Sequence, residues 1–370
     1  MFQWVKINDG HDNFFTPLRL LFAVMVVIGH AYVIALGDQQ AEFNLFFGYK
    51  PSYLAVNLFF IASGFLVTKS MLYRRDVAEY SSARILRIYP ALFIHVLFVM
   101  FVMGPFVTSL PLKQFFTDPQ FYTQPLQVLS FYQAQMTLPG ALETNAEQLG
   151  SAPLWTLRYE ILAYIGTVTA FALGLMKHRW MIGAQFLVFA AAWPLAHISG
   201  LYDMLPGTGQ NMLRFGICYG LGAAVYAYRE HLKFNIIGVI IMGAIAALTH
   251  KTLIFEVTTA MFLGYFVFWA AYVKAPKLDG LKHLSDTSYG IYIYHWCIMQ
   301  WLFYTMPTLS PLALIAIALP ITIALAYASW IFIEKPMLTR KTRFAETLRF
   351  RRKKNHSPRR IGCKLPSKYG

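Results

Sequence analysis

A chain of 370 residues with 57% hydrophobic and only 13% charged side chains carries about half the charge of an ordinary soluble domain. That leaves too little polar surface to cover a water-soluble globule, although the formal net charge is +15. The mean hydropathy of +0.47 comes from apolar runs of about 20 residues, the length that crosses a bilayer as a helix. The short alternating segments of a membrane β-barrel are absent.

Taken in chain order, these runs predict an all-α, polytopic membrane bundle of about ten transmembrane helices. They fall at roughly 17–36, 52–72, 89–110, 153–176, 180–199, 211–228, 234–250, 253–273, 286–306 and 310–333. The basic residues orient them. With the N-terminus in the cytoplasm, 25 of the 32 Lys and Arg lie on the cytoplasmic side and only Lys50, Lys113 and Lys251 lie opposite. Arg19, Lys69, Arg158 and Arg214 fall inside spans. This positive-inside asymmetry accounts for the net charge without nucleic acid and predicts cytoplasmic N- and C-termini. Residues 1–340 read as one membrane domain. Residues 341–370 read as a basic cytoplasmic tail, a topology anchor with a partly disordered end, or a patch for anionic membrane lipid. The N-terminal run lacks a small-residue cleavage signature and reads as a retained helix.

Cys218, Cys297 and Cys363 have the spacing of neither a disulfide framework nor a zinc site, so no metal is expected. The longest loop on the outer side, about 111–152, holds Gln114, Gln120, Gln124, Gln127, Gln133, Gln135, Phe121, Tyr122, Tyr132 and Asn145. Amides and aromatic rings suit sugar hydroxyls and sugar faces; an ordinary polar loop on the membrane surface has the same composition.

Ionisable residues inside spans are costly, and each is a functional hypothesis. Arg19 and His30 are eleven residues apart, close to three turns, so they share a face at roughly 16 Å along the axis. Arg suits phosphate and His carries a proton near neutral pH. An elongated anionic donor would bind Arg19 and extend towards His30; an interfacial anchor and a core histidine is the bland alternative. Arg158 and Glu160 lie in PLWTLRYEILAY. Glu160 falls at about the depth of His30, so it is expected to orient that imidazole or share its proton; an ion pair with Arg158 or Arg214 is the alternative. Arg84 and Arg87 in SSARILRIYP are neighbours on one helix face and suit phosphates, or serve as topology anchors. His295 lies near mid-membrane in SYGIYIYHWCIM and reads as a ligand, a base or a satisfied core group. His95 and His197 read as structural.

Six segments in order resemble the acyltransferase 3 family. They are Arg19 with ten residues to His30; Ser63-Gly64-Phe65 within FFIASGFLV; Arg84-x-x-Arg87 followed by Ile88-Tyr89-Pro90; Leu154-Trp155-Thr156-Leu157-x-x-Glu160; Ser288-Tyr289-x-Ile291-Tyr292-x-x-His295; and FIEKP with Glu334 and Pro336. Cys297 stands where many members have Pro. The short tail matches a stand-alone member without an appended hydrolase-like domain.

The resemblance implies transfer of an acyl group, usually acetyl, from cytoplasmic acyl-CoA to a hydroxyl of an extracytoplasmic glycan, in a bacterial inner (plasma) membrane. Acyl-CoA is then a donor substrate, and no cofactor is bound permanently. His30 and Glu160 become the expected catalytic pair. Arg19, Arg84 and Arg87 become donor-binding residues, with the pantetheine arm beside the first helix. Ser63, Trp155, Arg158, Tyr292 and His295 become substrate-binding residues. An acyl-enzyme on His30 or Ser63 is a variant. The rival from another class is a proton-coupled transporter, which buried Arg, Glu and His would also serve.

Overall fold

The structure is a computed structural model that describes residues 4–7, 10 and 12–353, with only the backbone over 350–353. It is mostly helical. In chain order the helices are α1 (Phe15–Leu36), α2 (Pro51–Arg74) and α3 (Val77–Leu97), which continues through a π turn (Phe98–Met103) into α4 (Gly104–Val107). Then come α5 (Leu112–Thr117), α6 (Pro119–Leu129), α7 (Trp155–Ala172), α8 (Arg179–Ile198), α9 (Leu201–Met204), α10 (Gly207–Tyr228), α11 (Ile236–Leu248) and α12 (Phe255–Tyr272). The chain ends with α13 (Ser288–Thr305), α14 (Pro311–Ser329), a second π turn (Trp330–Glu334), α15 (Lys335–Thr339) and α16 (Lys341–Lys353). The short strands β1 (Val5–Lys6) and β2 (Lys233–Phe234) pair antiparallel and tie the N-terminal segment to the α10–α11 connection.

Each of the ten predicted runs falls on a helix, but among the described residues six helices are long and apolar enough to cross a membrane: Phe15–Leu36, Pro51–Arg74, Val77–Val107, Arg179–Ile198, Phe255–Tyr272 and Pro311–Thr339. The others depart for a physical reason. α11 has 13 residues. α7, α10 and α13 carry polar side chains, including Arg158, Glu160, Arg214, His295 and Gln300.

α2 is the most buried of the six spans and is packed by α1, α10, α7 and α12. Its crossing with α10 needs glycine twice. A Cβ on Gly64 would meet Tyr219 O at 2.0 Å, and one on Gly222 would meet Ile61 O at 2.0 Å. The backbones therefore touch, and Gly64 of the Ser-Gly-Phe segment is a packing residue. α1 lies against α2, α13 and α14, with Phe22, Ala23, Val26 and Val27 fully buried in the seam.

The long 111–152 segment folds as α5, α6 and a run of turns. Some of its amides are spent in packing: Gln120 Nε2 donates to Thr137 Oγ1 at 2.8 Å within the segment, and Asn145 Nδ2 donates to Gln300 Oε1 of α13 at 2.6 Å. The predicted tail begins as helix α16, docked on α3, where Arg349 reaches Asp76 at 2.5 Å and Glu79 at 3.3 Å. The expected disordered end, 354–370, lies outside the described residues, as does Cys363.

Candidate active site

His30 on α1 and His295 on α13 meet ring edge to ring edge, in nearly parallel planes. His30 Nδ1 and His295 Nε2 are 2.8 Å apart, and the rings lie with centroids 5.1 Å apart at 14°. The tautomers follow from the outer partner. His295 Nδ1 lies 3.1 Å from Ile291 O. A carbonyl only accepts, so His295 Nδ1 carries the proton and its Nε2 is an acceptor. His30 Nδ1 then donates to it, which leaves the lone pair on His30 Nε2. Trp296 packs edge-on to His30 at 5.1 Å and donates Nε1–H to Leu149 O at 2.7 Å. One imidazole is thus held in a fixed tautomer by a second, itself held by backbone.

This corrects the expected partner of His30. Glu160 projects into a different space: it accepts from the Tyr164 hydroxyl and lines a large cavity. The two do not meet, because α1 packs its His30 on α13 while α7 packs on α2. The alternative pairs are absent too. Arg158 donates to the carbonyls of Phe131 at 2.9 Å and Tyr132 at 2.5 Å, which pins the 111–152 segment to α7. Arg214 donates Nε–H to Asn57 Oδ1 at 2.9 Å and lies 3.6 Å over the Tyr53 ring. Asn57, Tyr49 and Tyr53 in turn donate to Glu256, a buried polar cluster on α2, α10 and α12 that the sequence reading did not assemble.

The cavity holds about 1880 Å³. Its lining combines eleven Lys and Arg, from Arg19 and Lys69 through Arg84 and Arg87 to Lys341, with the three carboxylates of Glu160, Glu230 and Asp286. That imbalance makes it a site for an anion. Ser63 lies on its wall, and Val56, Phe59, Thr156 and Tyr292 also line it. Tyr292 is one helical turn before His295, with ring centroids 6.1 Å apart. Its hydroxyl donates to Pro153 O at 2.8 Å, 2.5 Å from Thr156 Oγ1. Trp155 is outside the cavity lining and packs on Tyr159 and Phe215. The cavity runs beside α2 and α7 rather than along α1, since the strip between Arg19 and His30 is closed against neighbouring helices.

Two acids missed by the sequence reading organise the basic wall. Asp286 accepts from Arg19, and from Arg87 at 2.9 Å; Glu334 accepts from Arg87 at 3.3 Å. Glu334 had appeared only as part of a motif, although a carboxylate buried in an apolar helix demands a partner. Arg84 carries no such pair: its guanidinium lies over the Tyr80 and Tyr164 rings at 5.9 and 5.5 Å. Beyond His30, the carboxylate of Glu42 packs against Gly29 and accepts from Ser52 N and Oγ at 2.5 and 2.6 Å. Burial raises its pKa, against the lowering effect of Ser52 and Lys50. His95 is hydrogen-bonded to Ser151 at 3.0 Å, and His197 to Trp193 O at 2.8 Å. Among the described residues no cluster of His, Cys, Asp and Glu could hold a metal ion.

A membrane helical bundle with a basic cavity beside a hydrogen-bonded histidine pair suits group transfer. The chain belongs to such a class: residues 13–331 match the family described as acyltransferase domain, the acyltransferase 3 family. An O-acetyl transferase of Shigella phage Sf6 is 25% identical over 339 residues, covering 90% of this chain and 97% of the phage protein. Nodulation protein 10 of Rhizobium leguminosarum bv. viciae is 28% identical over 374 aligned positions, covering 90% and 95%. No solved structure gives a significant match.

Proposed function

We propose that this acyltransferase moves an acyl group, acetyl in the first instance, from cytoplasmic acyl-CoA to a hydroxyl of an extracytoplasmic glycan. The observation that carries the reading is the cavity: it opens among basic side chains and reaches Tyr292, one turn from the His30–His295 pair. In this reading ten helices cross a bacterial plasma membrane with both termini in the cytoplasm, so the basic mouth faces the CoA pool and His30 lies in the outer half. Donor phosphates sit among the arginines and the pantetheine arm follows α2 and α7.

His30 Nε2 takes the proton of the acceptor hydroxyl as its oxygen attacks the thioester carbonyl. The C–S bond breaks, and the CoA thiolate leaves and is protonated by the His30 imidazolium. His295 keeps Nε2 of His30 as the basic nitrogen throughout. General base action contributes about 10²–10⁴-fold; positioning by the cavity supplies much of the remainder.

The test uses membrane vesicles with radiolabelled acetyl-CoA. Label is expected in the glycan fraction with the native protein and not with His30→Ala inserted at the same level. Equal labelling by the His30→Ala protein would overturn the assignment.

A further inference from the structure

The arginines on the cavity wall are not equivalent. Arg19 and Arg87 both donate to Asp286 Oδ2, Arg87 at 2.9 Å, and Arg87 also reaches Glu334 Oε2 at 3.3 Å. The remaining carboxylate oxygens are occupied too: Ser288 donates to Asp286 Oδ1 at 2.6 Å and Ser329 to Glu334 Oε1 at 3.3 Å. Two positive and two negative groups, from α1, α3, the turn before α13 and the end of α14, form a closed set. The set is neutral as a whole, so a phosphate approaching Arg87 would meet two carboxylates already held beside the guanidinium, and their repulsion offsets the attraction of its charge.

Arg84 is one turn earlier on the same helix and lines the same cavity. Among the described residues no carboxylate lies within ion-pair distance of it. Its Nε is buried without a hydrogen-bond partner, and its guanidinium rests on two tyrosine rings. An aromatic bed fixes the plane of the guanidinium while leaving its donors available. An orphaned donor and an unmatched charge at one atom group are what an incoming phosphate would complete.

We infer that Arg84 is the phosphate ligand of the Arg84-x-x-Arg87 pair, while Arg87 and Arg19 are wall elements fastened by Asp286 and Glu334. This rests on the acyl-CoA reading above and assigns separate work to two residues that look alike in sequence.

The experiment compares binding of CoA and of pantetheine, which keeps the thiol arm but lacks the phosphates, to the full-length protein in nanodiscs, with melting temperature measured alongside. Arg84→Gln is expected to weaken CoA binding by about 10–100-fold, with pantetheine binding and melting temperature unchanged. Arg84→Lys, which keeps the charge, recovers part of the loss. Arg87→Gln and Asp286→Asn are expected to lower the melting temperature, and Asp286→Asn does not weaken CoA, since it removes a competing negative charge. The inference is overturned if Arg84→Gln binds CoA like the native protein, or if Arg87→Gln loses CoA selectively at an unchanged melting temperature. Native protein that prefers neither CoA nor pantetheine would instead overturn the donor reading itself.

Discussion

Replacing His295 with Leu tests whether the second imidazole positions the first. Leu keeps the side chain apolar and nearly fills the space, so the change removes chiefly the acceptor 2.8 Å from His30 Nδ1. His295 is fully buried, and a buried donor left without a partner costs about 1–3 kcal/mol. At 1.36 kcal/mol per factor of ten, and with the tautomer no longer fixed, kcat should fall about 10–100-fold. The KM for acetyl-CoA should hold, because the cavity lining includes Tyr292 but not His295. The assay is label transfer from acetyl-CoA to glycan in vesicles, run for His295→Leu, His30→Ala and the double variant. A residue that acts through His30 adds nothing once His30 is gone, so the double variant should match His30→Ala. A native kcat for His295→Leu, or losses that multiply in the double variant, would refute the relay.

Three further outcomes follow from the packing and the charges. Gly64→Ala and Gly222→Ala each drive a Cβ to 2.0 Å from a carbonyl oxygen of the facing helix, so each should destabilise by at least about 1–3 kcal/mol, read as thermal unfolding in detergent. Gly166→Ala, with nothing within 4 Å of its Cβ, is the control and should be neutral or slightly stabilising; equal behaviour of all three would refute the close crossing. The raised pKa of Glu42 means that the fold binds its proton more tightly than the unfolded chain does. Its favourable contribution is complete below the ordinary carboxylate value and is lost as pH rises through the folded value. The melting temperature of the native protein relative to Glu42→Gln should therefore decline across that range, and an opposite slope would refute the burial argument. Tyr292→Ala should open the inner end of the cavity and release CoA from acetyl-CoA without acceptor, whereas Tyr292→Phe should keep that end closed; equal hydrolysis by the two would show that the ring is no barrier.

The helices were legible because a bilayer leaves the backbone little alternative, and every predicted run falls on a helix. What hydropathy could not separate was polar content from helix identity. α7, α10 and α13 fall outside the six apolar spans and contain Glu160, Arg214 and His295, while α1 with His30 and α12 with Glu256 stay apolar enough to count despite the polar group they carry. The Arg158–Glu160 pair could have been excluded from sequence. Two residues apart on a helix is about 200° of rotation, and the structure sends one side chain to the carbonyls of 131 and 132 and the other to the cavity.

The partner of His30 was not legible, and the reason is geometric. Spacing within α1 fixes which residues share the face of His30, but not which helix that face meets. Depth alone favoured Glu160, read at the level of His30, over His295, read near mid-membrane. The helix contacts decide it, and they also decide the route of the cavity. With Phe22, Ala23, Val26 and Val27 sealed against other helices, α1 is not a rail along which a ligand climbs from Arg19 to His30. It is a strut that places a wall arginine at one end and His30 at the other. The open path lies across α2 and α7, past Ser63, Glu160 and Thr156. The eleven-residue interval between Arg19 and His30 therefore spans the partition between the basic cavity wall and the histidine pair, with Phe59 and Tyr292 lining the cavity on the side of that pair.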